Sequence, residues 1–173
     1  MGTNTSALNG YVVDKGEIGS VIVGYRNGRV AAVLLGDDVA DVVRQLGARF
    51  SDIAARGPCD DGHGVARKVA AYMDGEDWTF DAQTEVSGTS FQKTVWRAIQ
   101  SIPRGRTETY AQIAAKIGRP KAVRAVASAC AANPIAILVP CHRVVRSDRK
   151  ASGYAWGMDR KSAILASEGL DKA

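Results

Sequence analysis

Residues able to ligate a metal or staple a small fold are scarce in this chain. Of 173 residues, two are His and three are Cys. The cysteines, Cys59, Cys130 and Cys141, are odd in number and lack a C-x-x-C spacing. That excludes a disulfide framework and points to reduced thiols. A zinc site needs Cys or His ligands at close spacing. Cys59 and His63 are the only such neighbours, so neither a metal nor another cofactor is expected. No apolar run approaches the roughly 20 residues that cross a bilayer. The first ten residues carry neither an apolar signal core nor an Arg-rich amphipathic pattern. A soluble, cytoplasmic, monomeric protein is the expectation.

Acid is the other scarcity, and it is local. Residues 1–88 hold 8 Lys/Arg against 13 Asp/Glu, a net of −5, whereas residues 89–173 hold 15 against 5, a net of +10. A basic half joined to an acidic half suits a polyanion, most simply nucleic acid, at the second half. A well-solvated cationic surface would give the same count.

What is present begins with two β-branched runs, residues 18–25 and 29–35, separated by Arg26-Asn27-Gly28. Asn-Gly there signals a hairpin. Helical spacing follows in residues 38–50, with Val39, Val42, Val43 and Leu46 on one face, and again in residues 65–73. Trp78-Thr79-Phe80 could add a short strand. Residues 81–89, polar and carrying Gly88, read as a linker. The expected fold class is α+β. An N-terminal α+β domain with a small antiparallel sheet spans 1–85, and a mostly helical domain with a helix-turn-helix spans 86–173.

In the second half, Ser90 reads as an N-cap, followed by Phe91, Val95, Ile99 and Ile102 on one face. Thr109 with Gln112 resembles a capping box that opens a further helix. Gly118 sits where a C′ residue belongs, and Pro120 suits the first turn of the next helix. That helix, Lys121 to about Ala132, turns Val123, Val126, Ala127 and Cys130 inward. Outward it presents Lys121, Arg124, Ala125, Ser128 and Ala132. Reading base edges calls for Arg, Asn, Gln or Lys. A face of small residues can approach a backbone or a groove closely but reads little sequence, which points to sequence-tolerant DNA binding.

Asn133-Pro134 then turns the chain into I-A-I-L-V-P-C-H-R-V-V, residues 135–145. Its apolar part reads as a buried strand delivering Cys141 and His142, with Arg143 next. The thiolate is the nucleophile of Cys chemistry, and a neighbouring imidazole or cation can stabilise it. Arg146, Arg149 and Lys150 follow as a basic loop. Ser152-Gly153-Tyr154-Ala155-Trp156-Gly157 sets two aromatics between glycines, a way to build walls around an extruded base. Asp159 reads as the cap of a last helix ending at Glu168-Gly169. An acid in a last turn faces the negative end of the macrodipole, unless it pairs with a cation. His142 is the partner that would complete a Cys-His-acid relay.

Pro140-Cys141-His142-Arg143-Val144 in this setting resembles the O6-alkylguanine-DNA alkyltransferase family, densely over residues 88–170. Thr109-Tyr110, the segment Lys121 to Val126, Asn133-Pro134, Ser152-Gly153-Tyr154 and Glu168-Gly169 are its companion motifs. The resemblance implies direct-reversal repair of double-stranded DNA without a cofactor. Arg124 would enter the duplex from the minor groove and replace a flipped nucleotide, with Lys121, Ala125 and Ser128 on the same DNA-facing surface. Tyr110 would hydrogen-bond the guanine and offset charge on the leaving purine, and Asn133 would act as a hinge. Main-chain groups of Cys141, Val144 and Ala155 would read the base, beside Arg143, Tyr154 and Trp156. Glu168 would orient His142, which deprotonates Cys141 through a water. The alkyl group then moves irreversibly to sulfur, once per protein molecule.

Two positions depart from the common pattern. Ala127 stands where many relatives have glycine. Trp156 occupies a loop position that is often glycine, and in this resembles the bacterial adaptive-response branch. Two other readings compete: a Cys-His hydrolase using Cys141, His142 and Glu168, and a non-catalytic helix-turn-helix DNA-binding module. The first leaves Arg124 and the bare helix face without a use, the second the Cys-His pair.

Overall fold

A computed structural model describes residues 7–50, 59, 61, 64–148 and 153–170. His63, Arg149, Lys150 and Ser152 lie outside the described residues. The chain falls into two compact units, 1–87 and 88–173.

The first unit is built on three antiparallel strands in the order β1-β2-β3: β1 (Gly10–Lys15), β2 (Ser20–Arg26) and β3 (Arg29–Gly36). Asn27 and Gly28 turn the β2–β3 hairpin with φ of 51° and 74°. Positive φ at both central residues matches the right-handed twist of the strands, which is why Asn-Gly is favoured there. Helix α1 (Val39–Arg49) packs on β2 and β3, and α2 (Val65–Met73) on β1 and β2. All of β2 is buried. At Gly24 a Cβ would stand 2.6 Å from Leu8 and 3.5 Å from Leu46 of α1, so glycine permits that close approach.

Three expectations for this unit change. β1 was hidden because Tyr11-Val12-Val13 is short and flanked by polar residues. Trp78-Thr79-Phe80 forms no strand. Phe80 instead packs edge-on against Tyr72, and Trp78 stays exposed beneath the Lys68 ammonium. The expected linker is partly pinned, since Gln83 and Glu85 exchange main-chain hydrogen bonds with Val30.

The second unit carries α3 (Ser90–Gln100), β4 (Glu108–Thr109), α4 (Tyr110–Lys116), α5 (Val123–Ala131), β5 (Val144–Val145) and α6 (Met158–Ser167). Thr89, not Ser90, caps α3, in a reciprocal box with Gln92. The box at Thr109 and Gln112 is as expected. Gly118, with φ of 72°, follows the end of α4. The turn that follows is longer than expected: Pro120 and Lys121 lie in it, and α5 begins at Val123. Trp96 of α3 donates its indole N–H to the Ala129 carbonyl at 2.8 Å, tying α3 to α5. β4 pairs in parallel with β5, joining Glu108 to Val144 and Thr109 to Val145. Gly157, not Asp159, caps α6, and Asp159 sits in its first turn, where a carboxylate favours the dipole.

The apolar run before Cys141 is the main correction. Residues 135–139 are buried or half-buried but form no strand. An apolar run of this length does not by itself distinguish a ladder from other buried structure. Here the side chain of Asn133 takes the place of a partner strand. Its Oδ1 accepts from the Ile135 amide at 2.9 Å, and its Nδ2 donates to the Val139 carbonyl at 2.9 Å. The segment curls into turns, holding Ile137 at φ of 68°. That is a strained value for a β-branched residue, held by the surrounding structure.

Candidate active site

Cys141, His142 and Arg143 form a single 3₁₀ turn, with all three side chains buried. The turn is closed by the Arg143 amide bonding the Pro140 carbonyl at 2.9 Å. Asn133 Nδ2 donates to Cys141 Sγ at 3.2 Å, so the side chain that shapes the turn also fixes the sulfur.

Behind the turn, Glu168 at the end of α6 makes charge-assisted contacts with two residues. It accepts from His142 Nε2 at 2.7 Å and from Arg143 at 2.9 Å through both Nε and Nη2. Arg143 also donates from Nη1 to the Ile102 carbonyl at 2.6 Å. Burial works to raise the Glu168 pKa, but hydrogen bonds from His142 and Arg143 prevail and bring it down to about 2. An ionised carboxylate only accepts, so the His142 proton resides on Nε2 and Nδ1 carries a lone pair. Burial lowers the His142 pKa against the pull of Glu168, leaving the ring neutral near pH 7. Among the described residues His142 Nδ1 is buried with no hydrogen-bond partner. A neutral imidazole with its second nitrogen ionically oriented and its first open is a general base in waiting.

Lys161 was not singled out from the sequence. It is 0% exposed and donates from Nζ to the Val144 carbonyl at 2.7 Å. Desolvation lowers its pKa to about 8, opposed by the two thiols of Cys130 and Cys141. Glu168 is engaged by His142 and Arg143. Burial pushes the Cys141 thiol well up, and the Lys161 charge works in the other direction. A thiolate at Cys141 would be stabilised by the Lys161 charge. The signal was in the sequence: Lys161, Ile164, Leu165 and Glu168 fall at i, i+3, i+4 and i+7, the inner face of one helix.

The aromatic loop stands next to this cluster. Tyr154 meets His142 edge-on at 6.4 Å between ring centroids and Trp156 at 5.1 Å. Trp156 is buried. The Tyr154 hydroxyl and the Trp156 indole N–H are buried and unpartnered among the described residues, and burial drives the Tyr154 phenol pKa upward. Three orphaned polar atoms (with His142 Nδ1) in one neighbourhood are unusual in a native interior. They fit a site that waits for polar atoms from outside. Ala155 is exposed between the two rings, and Tyr110 is half-buried at the start of α4.

Arg124, Ala125 and Ser128 are exposed on the outer face of α5, and Lys121 is exposed in the turn before it. Cys130 and Val126 are buried on the opposite face, while Ala127 and Val123 are half-buried. Arg143, expected beside the thiol and the base, turns its guanidinium to the end of α6. Its charge is spent on Glu168 and it holds the turn in place. The Val144 carbonyl, expected to read a base, already accepts from Lys161, though a carbonyl has a second lone pair. Among the described residues no group of three or more His, Cys, Asp or Glu could hold a metal ion.

The family model described as 6-O-methylguanine DNA methyltransferase, DNA binding domain, matches residues 90–170. The bifunctional transcriptional activator/DNA repair enzyme Ada of Escherichia coli is 44% identical over 161 residues, covering 91% of this chain but only 45% of that protein. A methylated-DNA–protein-cysteine methyltransferase of Methanosarcina acetivorans is 51% identical over 105 residues, covering 61% of this chain and 67% of the relative. The crystal structure of Mycobacterium tuberculosis OGT in complex with DNA is similar with a TM-score of 0.75 and 32% identity, covering 94% of this chain and 95% of that one. No helix here is long and apolar enough to cross a membrane among the described residues. The chain belongs to the O6-methylguanine-DNA methyltransferase family.

Proposed function

We propose that this protein repairs alkylated double-stranded DNA by moving the alkyl group from O6 of guanine to Cys141, once and irreversibly. The observation that carries this reading is the buried line from Glu168 through His142 to an open Nδ1, on the same turn as Cys141. Nδ1 receives the Cys141 proton through a water, and Lys161 faces the thiolate that results. The sulfur displaces the guanine oxygen in line, forming an S–C bond as the C–O bond breaks. A thioether does not leave again, so the acceptor is consumed.

The remaining residues take roles around that step. Tyr110 donates to the guanine ring as charge develops on the leaving purine, and Asn133 holds the sulfur. Main-chain groups of Cys141, Val144 and Ala155 meet the base edge, with Tyr154 and Trp156 as walls. Arg124 fills the place of the flipped nucleotide. Lys121, Ala125 and Ser128 let α5 lie close to the groove, in the manner of a helix-turn-helix. Residues 86–173 thus bind DNA and accept the group. The site requires no cofactor, and the protein works as a cytoplasmic monomer.

Intact mass after mixing with duplex DNA bearing O6-methylguanine tests the reading. One methyl gained per chain, and none in Cys141→Ala, is the expected result. Binding without transfer would leave a DNA-binding module, and turnover of esters or thioesters would indicate a hydrolase.

A further inference from the structure

Each end of α6 carries a charge that the helix dipole disfavours. Glu168, at the C-terminal end, is engaged by His142 and Arg143. Arg160, at the N-terminal end, has no part in the transfer just described. It is half-buried in the first turn, where the free amides already make the helix end partly positive. A cation is stable there when an acceptor of its own lies within reach.

That acceptor is the main chain of the aromatic loop. Arg160 Nη1 donates to the Trp156 carbonyl, two residues before the helix begins. Its arm crosses Gly157, where a Cβ would stand 3.8 Å from Nη1. The Gly157 amide donates to the Tyr154 carbonyl at 3.1 Å, closing the loop into a turn. The turn is therefore held by its own hydrogen bond and tied to α6 by Arg160. The Arg160 charge also bears on the Tyr154 phenol, against the upward push of burial. Tyr154 and Trp156 stack edge-on at 5.1 Å, and Trp156 is 4% exposed although it belongs to no helix or strand.

We infer that Arg160 is a positioning residue that latches the aromatic loop onto α6 and thereby limits the size of the alkyl group the site accepts. The inference rests on the proposed function. The next residue, Lys161, and Glu168 at the far end of the same helix are fixed at the acceptor turn. The latch thus places the Trp156 ring in the frame of Cys141. A methyl group reacts with the ring where it stands. A bulky group must displace the ring, and displacing it breaks the bond from Arg160. A charge-assisted hydrogen bond is among the stronger ones, so its loss weighs against the bulky adduct alone.

The test compares the full chain with Arg160→Met, which keeps an apolar stem and removes the donor, and with Arg160→Lys, which keeps a cationic donor. Single-turnover rates are measured on duplex DNA bearing O6-methylguanine or O6-benzylguanine. The benzyl-to-methyl ratio should rise several-fold in Arg160→Met and stay near the unaltered value in Arg160→Lys. Both rates come from one preparation, so a smaller folded fraction cancels. Adding Arg160→Met to Trp156→Gly should raise the ratio no further, because the wall it holds is gone. An unchanged ratio in Arg160→Met, an equal rise in Arg160→Lys, or a full further rise on top of Trp156→Gly overturns the inference. Hydrogen exchange of the DNA-free protein reads the latch directly. The Gly157 amide should exchange several-fold faster in Arg160→Met than in the unaltered chain or Arg160→Lys, and equal exchange in all three overturns the latch. That measurement needs no alkyl transfer, so its failure is distinct from failure of the proposed function.

Discussion

The cations of α5 and those beneath the acceptor turn live under opposite conditions. Arg124 stands exposed on a helix face of small residues, while Arg143 and Lys161 are buried with their donors committed to Glu168, to Ile102 and to Val144. A charge in water costs the fold almost nothing and is available to a partner. A buried charge exists only because particular atoms receive it, and removing one of those atoms leaves the rest uncompensated. Binding and stability should therefore separate cleanly along this line.

Glu168→Ala should produce the largest effect. It strands the Arg143 guanidinium and frees the His142 ring, costing about 3–5 kcal/mol by the general cost of breaking a buried pair, and it should abolish alkyl transfer. Denaturant unfolding that moves by less than about 0.5 kcal/mol, the usual range for surface changes, would refute the buried-network account. The same contact predicts the acid limb of stability. Glu168 titrates near 2 when folded and at about 4.3 when unfolded. Its stabilisation is complete above the unfolded value and is lost as pH falls from there towards 2, a slope that Glu168→Gln should flatten.

Lys161→Met keeps the volume of the inner stripe and removes the charge together with the donor to the Val144 carbonyl. The fold should survive with a change under about 1.5 kcal/mol, while transfer slows at neutral pH and recovers as the solution turns alkaline enough to ionise Cys141 unaided. A pH–rate profile parallel to that of the unaltered protein would remove Lys161 from the chemistry.

Arg124→Ala tests the other side of the comparison. Stability should stay within about 0.5 kcal/mol, and reaction with free O6-methylguanine should persist while reaction on duplex DNA falls. Equal loss on both substrates means that Arg124 is no intruding side chain. The smallest effect is expected at Trp156→Gly, which widens the loop and should raise reaction with benzylated relative to methylated guanine. Unchanged selectivity would show that the indole does not limit the pocket.

The exposed side of this contrast was legible in the sequence, the buried side only in part. The bare face of α5, the caps at Thr109 and Gly118 and the hairpin at Asn27-Gly28 are local, and each rests on what a few neighbouring residues do by themselves, such as the positive φ that Asn and Gly reach at low cost. Glu168 was recognisable because an acid at a helix end runs against the dipole. Its link to Arg143 was not, because adjacency in sequence suggested that Arg143 served the thiol. The form of residues 135–139 was hidden for a similar reason. Their apolar character reports burial, whereas the curl is imposed by one amide side chain, Asn133, placed before the run.

The two-residue pairing of β4 with β5 has a consequence for how the second unit comes apart. Glu108 and Thr109 lead directly into α4, and Val144 and Val145 lead directly out of the acceptor turn. A ladder this short has no stability of its own, so its amides open only when the elements it joins open. The segment that begins α4 and the segment that ends the turn at Cys141 then belong to one cooperative unit. Hydrogen exchange at Val144 and Val145 should report the whole unit, and a chain nicked between residues 109 and 144 should lose the reactive turn and the helix pair together.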